Sequence, residues 1–69
     1  MTDTHDFSLE EAWQTAIQRE KEAYEFYMRV YRSATDPAVK TLFRHLAQQE
    51  TTHQRLLEDE FDRMFRPDM

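Results

Sequence analysis

The chain has no cysteine and no glycine, and its only prolines are Pro37 and Pro67. Without cysteine, no disulfide can staple it, although that absence fits any redox compartment. Without glycine, and with a single internal proline, a long run of helix formers is punctuated once, which predicts an all-α hairpin. There is no excess of basic charge either: the net charge is −5, and the nine Lys and Arg are interspersed with acids in sequence rather than gathered in a patch. That argues against nucleic acid as a partner. No apolar run approaches the ~18 residues of a membrane span, and the acidic N-terminus is unlike a signal peptide. A soluble cytoplasmic protein with no membrane partner is the expectation.

Sixty-nine residues allow one small domain. Two helices enclose almost no interior, and domains this small rely on disulfides, metal or oligomerisation. With disulfides excluded, metal, oligomerisation or both remain.

Residues 1–7 are polar and without periodicity, so a loose tail is expected there, with His5 in it. Ser8 followed by Glu11 matches a capping box. Apolar residues at 9, 13, 16, 17, 23, 24, 27, 31 and 34 have helical spacing, predicting a first helix over about 9–33. The break is Ala34-Thr35-Asp36-Pro37. Asp36 is a good N-cap and Pro37 a good first helical residue. A second helix follows over about 37–66, with apolar residues at 39, 42, 43, 46, 47, 57, 61, 64 and 65, and 67–69 form a tail. So short a turn makes the helices antiparallel neighbours. Both stripes are broad, with Phe26, Met28, Val30 and Phe65 at their edges. A lone hairpin would leave much of this apolar surface in water, which points to an obligate oligomer.

Glu50 and His53 lie three residues apart, one turn on one helix face. With this composition a Glu-x-x-His match arises by chance about one time in three, so position must carry the argument. At ~100° per residue both fall within the apolar stripe, as does Glu20 on the first helix. Glu20 also lies fifteen residues before Thr35 and Glu50 fifteen after it. An antiparallel hairpin folded at that turn brings the two carboxylates to one level. Helix axes pack ~8–10 Å apart, close enough for both to reach one ion.

One chain then offers two carboxylates and one imidazole, an incomplete octahedral shell. A two-fold dimer would supply four carboxylates and two histidines, balancing two divalent cations. An oxygen-rich shell with nitrogen suits iron or manganese better than a tetrahedral structural zinc. Di-iron carboxylate bundles place a Glu on each of two helices and a Glu-x-x-His on each of the other two. Tyr27, two turns beyond Glu20 on the same face, is placed to orient a ligand carboxylate through its hydroxyl or simply to pack. Glu10 and Glu60 share a level near the open end of the hairpin. With Glu22, they are candidates for a cation-uptake or secondary site, and solvated surface acids are the plainer reading. His45 falls off the stripe, facing solvent. Trp13, Phe43 and Phe61 read as packing residues.

The segment Glu20-Lys-Glu-Ala-Tyr-Glu-Phe-Tyr27, followed by Glu50-Thr-Thr-His53, resembles the metal-binding helices of the ferritin-like superfamily, rubrerythrins included. In having two helices where those proteins usually have four, the chain resembles the encapsulated ferritins and related half-ferritins. Thr35-Asp36-Pro37 at the turn extends the likeness, which covers roughly residues 12–60. The resemblance implies a di-iron ferroxidase centre at a homodimer interface, with Glu20, Glu50 and His53 from each chain and two iron ions per dimer. Manganese or zinc would be possible substitutes, and dimers could assemble further into rings. The chain ends at Phe-Arg-Pro-Asp-Met without the extension that docks encapsulated ferritins into an encapsulin shell, so the cytoplasm is expected over the shell lumen. No rubredoxin-type cysteine set is present, so a self-contained rubrerythrin peroxidase is not expected.

The reading that follows is oxidation of Fe(II) to Fe(III), with dioxygen or peroxide, at a centre shared between two copies. The alternatives are a non-enzymatic helical interaction module, whose polar stripe residues specify register, and a di-metal protein that is structural or has another redox role.

Overall fold

The computed structural model describes residues 8–66; the expected tails, 1–7 with His5 and 67–69, lie outside the described residues. Two helices pack against each other as an antiparallel hairpin, α1 over Leu9–Ser33 and α2 over Pro37–Phe65. No described residue is in a strand, and neither helix is long and apolar enough to cross a membrane.

The ends of the helices are fixed by local chemistry. At the start of α1 the Glu11 N–H donates to Ser8 Oγ at 3.0 Å, and the Ser8 N–H donates to Glu11 Oε1 at 3.1 Å. Both halves of the capping box are therefore made. Asp36 Oδ1 accepts from the N–H groups of Ala38 at 2.8 Å and Val39 at 3.4 Å, opening α2 behind Pro37. Lys40 Nζ donates to the Tyr31 carbonyl at 2.6 Å and lies 4.2 Å from the centre of its ring. A residue of α2 thus satisfies one of the carbonyls that the end of α1 leaves without a helical partner. α2 ends at Phe65, with Arg66 as its cap.

Three contacts set the register. Trp13 Nε1 donates to the Leu57 carbonyl at 2.8 Å. Glu20 meets Glu50 and His53. Tyr27 packs edge-on to Phe43, with ring centres 5.9 Å apart. The pairs 13/57, 20/50 and 27/43 are each equidistant from Thr35 along the chain. The count from the turn agrees with all three contacts.

The broad stripe expected on α2 resolves into two seams. Positions 43, 47, 50, 54, 57 and 61 step by three and four, the spacing of a helix–helix seam, and all are buried or half-buried. Ala47 is 1% exposed and Phe61 8%; no other described residue is buried. A second seam one position over holds Val39, Leu42, Leu46, His53 and Leu56. It is open to solvent, with Leu42 at 53% and Leu56 at 59% exposure and Leu46 half-buried. One helix covers only about one face of its neighbour, so a two-helix layer cannot close both seams.

Candidate metal centre

Glu20 comes from the middle of α1, and Glu50 and His53 from the middle of α2. The capped turn, and the three and four residue steps along the packed seam, bring them to one level. One ligand atom from each of the three lies within 4.8 Å of the other two. His53 Nδ1 is 3.2 Å from Glu20 Oε2 and 3.5 Å from Glu50 Oε1. Those two oxygens are sealed from solvent and make no hydrogen bond. Glu20 and Glu50 retain 24% and 15% of their side-chain exposure, whereas His53 retains 58%. Glu50 therefore belongs to the packed seam and His53 to the open one, with the site spanning the boundary.

The electrostatics of the cluster favour a cation. The Glu50 carboxyl is pushed above its ordinary value, first by the adjacent Glu20 carboxyl, with which it can hydrogen-bond only when one of the two is protonated. Burial and Coulomb repulsion from Glu20 act in the same direction, and His53 opposes them. Among the described residues, no Lys or Arg is paired with either carboxylate. Orphaned inward oxygens are rare in native proteins because each forfeits its hydration. Two of them beside an imidazole nitrogen fit a divalent first-row metal, which accepts hard oxygen and imidazole together. The residues present fit the metal.

The structure does not bring the remaining candidates into this cluster. Tyr27 is half-buried against Phe43 and Phe26, and among the described residues its hydroxyl makes no hydrogen bond to either carboxylate. Glu10 is exposed. Glu22 accepts from Gln18 at 3.3 Å. Glu60 is engaged by Arg63 at 2.7 Å, which holds its carboxyl below the usual range. His45 is exposed. The hydroxyls of Thr51 and Thr52 bond back to the Ala47 and Gln48 carbonyls, leaving the Glu50–His53 face clear.

Arg29, Arg32, Lys40 and Arg44 all lie in the turn half of the hairpin. Between Glu25 and Glu50 the only acid is Asp36, and its carboxylate caps α2. The signal was that acid-poor interval, whose two halves lie side by side once the chain folds back on itself.

Two carboxylates and an imidazole converge between antiparallel helices, a donor set that a divalent metal ion could take. The family model described as Rubrerythrin matches residues 2–61. The chain belongs to the rubrerythrin family, a di-iron family of the ferritin-like superfamily. No curated protein and no solved structure matches the chain.

Proposed function

We propose that two copies of the chain join along the open seam to complete a di-iron centre, and that the complete centre is a ferroxidase. The observation that carries this reading is the position of His53. Its Nδ1 faces two orphaned carboxylate oxygens, yet its ring lies in an exposed apolar seam with Leu42 and Leu56. A second hairpin on that seam would bury the leucines, gaining about 1.5–3 kcal/mol for each one fully covered. It would also bring a second Glu20, Glu50 and His53 to the first. The arrangement is that of a half-ferritin, as in the encapsulated ferritins, working in the cytoplasm or within a shell.

Fe(II) is the substrate. Each ferrous ion gives up one electron, and hydrogen peroxide accepts two electrons and two protons to become two waters, or dioxygen accepts four of each. Bound iron would supply the one-electron redox chemistry. Four carboxylates favour the ferric product because hard anionic oxygen prefers the harder ion. Glu50, the less exposed carboxylate, would hold the iron together with Glu20 and His53, which reach it from opposite helices. Tyr27, half-buried two turns from Glu20, limits water on that side and is placed to orient a carboxylate once the second hairpin closes the site.

The test is aerobic Fe(II) addition followed by ferric absorbance. A Glu50→Ala, His53→Ala protein should lose the catalysed phase. If it oxidises iron as fast as the unmodified chain, the ferroxidase reading is wrong. Sedimentation with and without Mn(II) separates this from a metal-independent interaction module, whose oligomeric state would not respond.

A further inference from the structure

The start of α2 breaks a local rule of helix chemistry. Lys40 and Arg44 stand four residues apart, so they share one helix face as a like-charge pair. Such a pair opposes the helix that carries it, and an acid alongside is the usual remedy. None is at hand. Asp36 is the only acid between Glu25 and Glu50, and its carboxylate is turned onto the Ala38 and Val39 N–H groups. Among the described residues, neither Lys40 nor Arg44 has a carboxylate partner.

The two cations line a cavity of about 220 Å³ that opens to solvent, walled by Tyr31 of α1 and by Pro37, Lys40, Thr41 and Arg44 of α2. Lys40 is half-buried and held in place. Its Nζ donates to the Tyr31 carbonyl at 2.6 Å and lies 4.2 Å from the centre of that ring. This uses one of its three N–H bonds and leaves two. Arg44, exposed, brings a guanidinium with five donors. Thr41 adds a hydroxyl one turn before Arg44. The helix end itself supplies no free donor, because Pro37 has no N–H and the next two are capped by Asp36. A ligand here is therefore held by side chains.

That lining carries two positive charges and no carboxylate, which selects a doubly charged oxyanion. A phosphoryl group carries about −1.5 to −2 charges near pH 7 and three acceptor oxygens. The fork of an arginine fits two of those oxygens, and a lysine answers them as a point charge. A carboxylate, with one charge and two oxygens, would leave half of the lining unanswered. A water molecule takes about 30 Å³ in the liquid, so the cavity has room for a phosphoryl group and the first atoms of whatever carries it.

We propose that this cavity binds a phosphoryl oxyanion between Lys40, Thr41 and Arg44, either inorganic phosphate or the phosphate of a small phosphomonoester. The site is separate from the metal centre, since its residues lie within nine positions of Thr35 and Glu20 and Glu50 lie at fifteen. At ~100° per residue Lys40 and Arg44 fall on the opposite side of α2 from Leu42 and Leu46. Pairing along the open seam would leave the cavity uncovered, so the proposal does not depend on the dimeric reading.

The test is an NMR titration of the isotope-labelled full chain with inorganic phosphate, chloride keeping the ionic strength constant. Metal is left out because phosphate would bind it. Saturable shifts centred on Tyr31 and residues 40–44 are expected, with a dissociation constant on the order of a millimolar or tighter. Arg44→Gln, at an exposed position, loses one charge-assisted contact and should raise that constant on the order of tenfold. Arg44→Lys keeps the charge without the fork and should lose less. Lys40→Gln should weaken binding as well, and the Arg44 variants decide the matter if loss of the Tyr31 contact perturbs the fold. Glycerol phosphate distinguishes the sources: weaker binding than inorganic phosphate identifies the free ion, tighter binding a phosphorylated molecule, and either supports the proposal. Arg29→Gln, in the same half of the hairpin but outside the cavity, should leave the constant unchanged. Shifts that do not saturate, a constant that Arg44→Gln leaves as it was, or an equal loss from Arg29→Gln would each overturn the proposal.

Discussion

Glu50→Gln should stabilise the metal-free chain while weakening its response to metal. Gln has nearly the same shape as Glu but no charge, so the substitution leaves the packed seam intact and removes one side of a like-charge pair. The acceptor atoms of Glu20 and Glu50 lie within 4.8 Å of each other. At that separation two unit charges repel by about 1 kcal/mol in water and about 3.5 kcal/mol at an effective dielectric of 20. The pair is mostly shielded from solvent, and His53 offsets part of the repulsion, so a net gain of about 1–2 kcal/mol at pH 7 is expected. The new amide can also donate to Glu20, giving an orphaned oxygen a partner. For a chain this small such a gain raises the melting temperature by roughly 4–8 °C per kcal/mol. The assay is circular dichroism at 222 nm during thermal unfolding, at fixed protein concentration, with and without Mn(II). Wild type should gain about 2.7 kcal/mol when free metal is a hundred times its dissociation constant, and the variant much less. A variant that melts lower without metal, or keeps the full metal response, would refute the account of a like-charge pair that a cation relieves.

Three further outcomes follow from individual contacts. Metal-free stability should fall as pH rises from about 4.5. The native chain holds a proton on Glu50 that the unfolded chain has released, so the contribution is complete below the ordinary value of 4.5 and disappears through the raised one. Thermal melts across pH 4–7 would check it, and an increase of stability through that window would contradict it. Trp13→Phe removes the donor to the Leu57 carbonyl and should cost about 1 kcal/mol in urea unfolding. Asp36→Ala, which strips the cap from α2, should cost about 1 kcal/mol by the same assay, with Asp36→Ser recovering most of it.

Much of the fold was legible because its determinants are local. Ser8 and Glu11 cap α1, Asp36 and Pro37 open α2, and nothing between 9 and 33 or 37 and 65 interrupts a helix. The meeting of Glu20 with Glu50 was legible for a related reason. With one tight turn and two regular helices, counting outward from Thr35 gives the level of every residue, and Trp13–Leu57 and Tyr27–Phe43 obey the same count. Whether His53 would face inward or outward was not legible, because sequence periodicity cannot say which part of a wide apolar stripe the partner helix covers.

By itself, therefore, the sequence determined the helices, the turn, the register and the convergence of Glu20, Glu50 and His53, since each depends on spacing along one chain. Only the tertiary structure decided that α2 carries two seams, with Glu50 in the closed one and His53 in the open one. It also decided that Glu20 Oε2 and Glu50 Oε1 are shut away from water without a partner. These depend on which face of each helix is turned toward the other, and that is settled by the side chains packed between the helices.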